Sequence, residues 1–137
     1  MRILLLGKNG QVGWELQRAL APLGEVIALD RNGLNQWRGD LSQPEQIYQT
    51  ILDLSPDVVV NASAYTAVDL AETDQETADL INHLAVKRIA DACAQTGALF
   101  VHYSTDYVFN GMGQTAFNEA DAVEPLNVYG RTKELGQ

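Results

Sequence analysis

Two hydrophobic rhythms alternate along the chain: short unbroken apolar runs, and longer stretches whose apolar positions recur every three or four residues. Ile3 to Leu6 is a continuous apolar run closed by Gly7, the pattern of a strand covered on both faces. From Gln11 to Leu20 the spacing predicts a helix with Val12, Leu16, Ala19 and Leu20 on one face, ended by Pro22 and Gly24. A second strand is predicted from Val26 to Leu29, stopping at Asp30, and residues 31–40 are polar and irregular. Pro44 to Leu54 reads as a helix with Ser42 as its cap, Glu45 three residues on and proline at a tolerated early position. After the Ser55-Pro56-Asp57 turn, Val58 to Val60 is a β-branched strand. Thr73 to Thr96 reads mostly as one long helix, with Ile81, Ala85, Ile89 and Cys93 four apart and Gly97 as its stop. Leu99 to Tyr103 is a further strand, and a final helix starts at Asn127, after loop signals at Asn110-Gly111 and Glu124-Pro125.

Strand–helix alternation with short connections predicts an α/β fold: a Rossmann-like, doubly wound parallel sheet with helices on both faces, in one domain spanning residues 1–137. In open parallel sheets the strand carboxyl ends carry the binding sites. The segments after residues 6, 29, 60 and 103 therefore hold the candidate chemistry.

Composition narrows the partners. Hydrophobic residues make up 46% and charged residues 20%, an ordinary globular balance, and the formal net charge is −9. So acidic a chain repels phosphate polymers and anionic bilayers, which argues against nucleic acid or membrane partners. No apolar run approaches the roughly 20 residues of a membrane span, and the apolar run at the N-terminus is too short for a signal peptide. The lone Cys93 has no partner for a disulfide within the chain, as fits a cytoplasmic protein, and is expected simply to pack.

The first strand runs into Gly7-Lys8-Asn9-Gly10-Gln11-Val12-Gly13, glycines in the pattern G-x-x-G-x-x-G between strand and helix. Gly7 permits the sharp turn, Gly10 lets backbone approach a pyrophosphate, and Gly13 lets the helix pack against the sheet. Backbone N–H groups at the start of the helix then face the anion. Asp30, at the end of the second strand, is placed to accept both hydroxyls of an adenosine ribose, which favours NADH. Arg31 beside it suits the extra phosphate of NADPH, so either cofactor remains open. Asp40 and Leu41 are a further candidate adenosine contact, or a turn that caps the next helix.

Tyr129 and Lys133 are four apart, so a helix presents them on one face. A tyrosine hydroxyl titrates near 10, and a neighbouring ammonium stabilises the phenolate, bringing the group closer to working pH as a proton donor to a carbonyl. Thr105 follows the last strand, and its hydroxyl is a candidate to polarise the same carbonyl; the alternative is a threonine that caps a turn. Tyr107 either meets a substrate ring or packs. His83 and His102 sit in no triad or metal spacing and are expected to be structural. After the middle strand, small residues such as Ala62 and Ala64 would let a cofactor lie against the strand end.

Taken together, the glycine loop, Asn61 to Asp69, His102 to Phe109 and Pro125 to Gly130 resemble the extended short-chain dehydrogenase/reductase family, and within it the reductases of dTDP-linked 4-ketosugars. The likeness runs over the whole chain. It implies that Gly10, Gln11 and Val12 meet the pyrophosphate, that Asp30, Asp40 and Leu41 hold the adenosine, and that Ala64, Tyr65 and Thr66 line the cofactor. It implies Thr105, Tyr129 and Lys133 as the catalytic set, with Asp106 near the dTDP-sugar. Some members are thought to form homodimers through Mg2+ held partly by a glutamate matching Glu15, and others are monomers; no metal ligand is assigned within the chain. Members of the family also continue for about as many residues again, supplying the last strands and the domain that grips the sugar. These 137 residues are accordingly expected to hold cofactor without turning substrate over. Among relatives on the same scaffold, a dehydratase needs an Asp-Glu pair after the threonine, and here Asp106 is followed by Tyr107. An epimerase would keep its NAD bound, and a non-catalytic regulatory module would have no use for the Thr105, Tyr129 and Lys133 set.

Overall fold

The computed structural model describes residues 1–137. Four strands, β1 (Arg2–Leu6), β2 (Glu25–Leu29), β3 (Val58–Asn61) and β4 (Leu99–His102), form one sheet in the order β2-β1-β3-β4. Every pairing is parallel, with Leu4 level with Ile27 on one side and Val59 on the other. The chain thus winds outward from β1 in one direction to β2 and in the other through β3 to β4. The crevice for a ligand opens where those directions part, at the carboxyl ends of β1 and β3.

Side-chain alternation along β1 explains why both faces are covered. Ile3 and Leu5 point to one face with Val60, where Leu16 and Leu20 of α1 (Gln11–Leu20) pack. Leu4 and Leu6 point to the other with Val59, against Ile47, Ile51 and Leu54 of α2 (Pro44–Leu54) and Ala85, Ile89, Ala92 and Cys93 of α5 (Ala85–Thr96). An apolar run without alternation is what a strand sandwiched between helices requires. Two short helices, α3 (Val68–Ala71) and α4 (Gln75–Asp79), lead into α5, and α6 (Val128–Leu135) packs on that segment.

The structure departs from the sequence expectations in several places. Val12 and Ala19 are exposed, and the inward stripe of α1 runs Gly13, Leu16, Gln17, Leu20, because the helix starts at the crevice and turns Val12 toward it. Ser42 does not cap α2: Gln43 occupies that position without a side-chain bond, and the Ser42 amide donates instead to Asp40 Oδ1 at 3.0 Å. The long helix begins at Gln75 and contains one π-helical turn, Leu80–Leu84, before α5. β4 ends at His102 rather than Tyr103. No helix is long and apolar enough to cross a membrane.

Candidate active site

The glycine loop between β1 and α1 is set by backbone sterics. Gly7 has φ +87°, a left-handed conformation that a side chain resists, and an added Cβ would collide with Ser63 beyond β3. Gly7 and Lys8 both donate their N–H to the Leu29 carbonyl, at 3.0 and 3.2 Å, which ties the loop to the end of β2. Gly13 allows a closer approach than the sequence suggested, and to a different neighbour. A Cβ there would overlap the Gly7 carbonyl, so the glycine packs α1 onto the loop itself rather than onto the sheet. Gly10 stands at the helix cap with no side-chain bond to it. The first amides of α1, from Gln11 to Gly13, have no carbonyl within the helix to bond. They form an uncapped positive end beside a cavity of about 720 Å³.

Asp30 lies at the far side of that cavity. Its Oδ2 accepts from Asn9 Nδ2 at 3.0 Å and lies 3.4 Å from Lys8 Nζ; its Oδ1 accepts from the Asn32 amide at 2.9 Å. Partial desolvation opposes its charge, but the Asn32 N–H, the Asn9 amide and the Lys8 ammonium prevail and hold the carboxyl below the usual range. The Asp40 carboxylate accepts from the Ser42 amide in the turn before α2 without capping that helix, and the residue lines the cavity with Leu41.

The second part of the site collects at the ends of β3 and β4. Asn61, fully buried, accepts the Ser63 amide on Oδ1 at 3.0 Å, and its Nδ2 lies 3.2 Å from His102 Nδ1. Lys133 reaches down from α6, only 3% exposed, and donates to the Tyr103 carbonyl at 2.5 Å; His102 Nε2 is 3.4 Å from its Nζ. Burial lowers the pKa of this lysine. It also pushes His102 down to about 4, with the Lys133 charge adding to the effect against a smaller opposing pull from the Asn61 backbone.

Two side chains secure the start of α6. Asn127 accepts from the Gly130 amide at 2.7 Å, and Glu72 accepts from the Val128 amide at 2.8 Å. Thr132 Oγ1 is held by Asn82 Nδ2 at 3.1 Å, and the same Asn82 clasps the Tyr65 backbone, accepting its N–H at 2.9 Å and donating to its carbonyl at 3.1 Å. Tyr129 is half-buried, edge-on to the Tyr107 ring at 5.5 Å. Gly130 beside it leaves room for the Tyr107 carbonyl, where any Cβ would collide. Thr105 caps the short 3-10 turn Asp106–Val108, accepting from the Tyr107 amide at 3.3 Å and donating to Asp106 Oδ1 at 3.2 Å.

The cavity gathers Gly7, Gly10, Gln11, Val12, Asp30, Asp40, Leu41, Ala62, Ala64 and Thr66 from the sequence-predicted set, with Arg31 at its edge. Gly13 lies beneath it. Tyr65 does not line it: its ring packs between two apolar clusters and its hydroxyl donates to Asp74 at 3.2 Å. Thr105, Asp106, Tyr129 and Lys133 belong to the second group. Glu15 pairs with Arg18 on the exposed side of α1, and no cluster of three or more His, Cys, Asp or Glu side chains is placed to hold a metal. Asn61, Asn82 and Lys8 escaped the sequence reading. Asn61 left a trace, a polar residue closing a β-branched run, whereas Asn82 looks like any polar position on a helix. His102, which the sequence alone reads as structural, meets Lys133 only through the fold.

A glycine loop on a doubly wound sheet, with a tyrosine and a lysine one helical turn apart at the strand carboxyl ends, defines a Rossmann-type domain of the extended short-chain dehydrogenase/reductase class. More narrowly, the chain belongs to the RmlD substrate binding domain family, whose model matches residues 1–137. It is 56% identical over its whole length to a dTDP-4-dehydrorhamnose reductase of Salmonella typhimurium, covering 46% of that protein. It superposes with a TM-score of 0.90 on the crystal structure of a hypothetical dTDP-4-dehydrorhamnose reductase from Sulfolobus tokodaii, at 39% identity, covering 99% of this chain and 50% of that one. The corresponding Bacillus anthracis reductase in complex with NADP gives 0.89 at 33% identity, covering 98% and 47%. The chain thus spans about half the length of the relatives it matches.

Proposed function

We propose that the chain is the cofactor-binding half of an NAD(P)H-dependent dTDP-4-dehydrorhamnose reductase, which reduces the 4-keto group of dTDP-4-dehydro-L-rhamnose to dTDP-L-rhamnose. The observation that carries the reading is the buried Lys133 one helical turn from Tyr129 and bonded to the Tyr103 carbonyl past β4, in the same chain as a cavity bordered by an uncapped helix start. The names of the relatives supply the substrate.

The residues present fit a dinucleotide. The amides of Gln11 and Val12 would take the pyrophosphate, with Gly7 and Gly10 leaving space for it. Asp30, already ionised, would accept the ribose hydroxyls of NADH, and Lys8 and Arg31 stand where the extra phosphate of NADPH would need cations. Both cofactors are therefore within the proposal. Ala62, Ala64 and Thr66, with the backbone of Tyr65, would carry the molecule along the end of β3 toward α6. A reduced nicotinamide held there would supply the hydride. Tyr129 would give its phenolic proton to the sugar O4, and Lys133 would stabilise the phenolate that remains. Thr105, released from its contact with Asp106, donates a hydrogen bond to the same oxygen. Asp106, the next residue, would then be available to the sugar.

Because the chain spans about half the length of its reductase relatives, residues 1–137 alone are proposed to bind cofactor without turnover. The test follows nicotinamide oxidation spectrophotometrically with full-length polypeptide and dTDP-4-dehydrorhamnose. Substrate-dependent oxidation supports the reading. Its absence, with nicotinamide copurifying instead, would point to an epimerase.

A further inference from the structure

His102 and Lys133 present a hydrogen-bonding conflict that fixes where the lysine can direct its hydrogens. The orientation of Asn61 is set by its carbonyl oxygen, which accepts the Ser63 amide at 3.0 Å. Its amide nitrogen therefore faces His102 Nδ1, 3.2 Å away, and an amide nitrogen only donates. Nδ1 must be the acceptor, so the neutral ring carries its hydrogen on Nε2. That hydrogen points at Lys133 Nζ, a group that as an ammonium also only donates. Their 3.4 Å separation is long for a hydrogen bond, as two facing donors would be. The lysine has one strong acceptor on this side, the Tyr103 carbonyl at 2.5 Å.

We propose that His102, locked by Asn61 with its hydrogen on Nε2, is a positioning residue for Lys133: it denies the ammonium a second acceptor at the sheet, leaving its other two N–H bonds for Tyr129 and the cofactor. The role assigned to Lys133 rests on the reductase reading above. The lock on His102 does not. Burial keeps the ring neutral well below working pH, so the arrangement holds wherever the enzyme operates. The Phe100 ring, stacked on His102 at 5.9 Å, fixes the ring plane from the side.

The order of two substitutions separates this role from simple packing. His102→Gln puts an amide oxygen within reach of Nζ and draws the lysine toward the sheet. In the full-length enzyme kcat should fall by about tenfold to a hundredfold, the scale of a misplaced catalytic group. His102→Phe is the coarser change in polarity, yet it offers Lys133 no acceptor and should keep more of kcat than His102→Gln. If His102→Phe is the more damaged of the two while both remain folded, the role is structural and the proposal is wrong. The tautomer is read independently by nitrogen NMR of the unsubstituted full-length protein labelled with 15N-histidine, with His102 assigned by its loss in whichever variant folds. A protonated Nε2 with bare Nδ1 is expected, and the reverse overturns the proposal. Were the polypeptide to show no ketosugar reduction, the reductase reading would fall while the tautomer measurement still judged the lock.

Discussion

The two ends of the crevice are built by different means. The end near α1 is almost entirely local: seven consecutive residues, a left-handed glycine and an uncapped helix start, tied to β2 through the Leu29 carbonyl. The end near α6 is assembled from segments far apart in sequence. Asn61, Asn82, His102 and Lys133 come from four different elements, and the bonds joining Asn61 to His102, His102 to Lys133 and Asn82 to Thr132 are buried or partly buried. A backbone site of the first kind tolerates change in most side chains but none at its close approaches. A site of the second kind depends on each side chain and on the pH that sets its charges.

The largest effect separates chemistry from binding. Tyr129→Phe in the full-length enzyme removes the proposed proton donor while the ring keeps its edge contact with Tyr107. Turnover should fall by about 10² to 10⁴-fold, with cofactor affinity within about twofold of the parent. Steady-state kinetics and a fluorescence titration with NADPH measure the two. Equal loss of both would erase the proposed division between the ends.

Acid should distinguish them next. His102 titrates in the folded chain at about 4, below its ordinary 6.5, so the unfolded chain binds the extra proton first. Stability is then full above about pH 6.5 and is lost as pH falls toward 4, by on the order of 3 kcal/mol in all. Asp30 is also depressed, from 3.8, but its contribution is lost only as pH falls through that still lower range. Urea midpoints measured from pH 7 to 4 should drop, and His102→Phe should flatten the drop. A slope unchanged by that substitution would place the acid sensitivity elsewhere.

This contrast also explains what could be read from the chain. The glycine loop, Asp30 and the paired Tyr129 and Lys133 were legible because their chemistry is local: a strand, a turn and a helix start follow one another, and one helical turn separates the last two. The parallel sheet with helices on both faces followed from alternation and short connections; the order of its strands came only with the fold. The inner face of α1 was misread because Val12 and Ala19 share the helical period with Leu16 and Leu20, and only the crevice shows that Val12 is turned toward a cavity. Asn82 was invisible for the opposite reason. Its partners, the Tyr65 backbone and Thr132, are distant in sequence, and no spacing encodes them.

Gly13→Ala tests the local end directly. Its Cβ would overlap the Gly7 carbonyl, a backbone atom that can move only by opening the loop. Stability should fall by about 1–3 kcal/mol, as for overpacking elsewhere, and cofactor affinity should fall with it. Calorimetry and the NADPH titration would show both. Retained affinity would mean that the loop is less rigid than its contacts imply.

The smallest expected effect concerns which cofactor the local end prefers. The Asp30 carboxylate is held by the Asn9 amide, the Lys8 ammonium and the Asn32 backbone, and all of these favour its charged form. Charged, it accepts hydroxyls well and repels a phosphate at the same ribose. Asp30→Asn keeps the side chain's size and an oxygen for the Asn32 amide but removes the charge, freeing Lys8 and leaving Arg31 unopposed at the cavity edge. NADH binding should weaken by about tenfold, the scale of a lost charged hydrogen bond, while NADPH binding stays level or improves. The ratio of the two dissociation constants is the quantity to measure, because a general loosening of the loop would weaken both alike. An unchanged ratio would show that Asp30 braces the loop through Asn9 and Lys8 without discriminating between the two riboses.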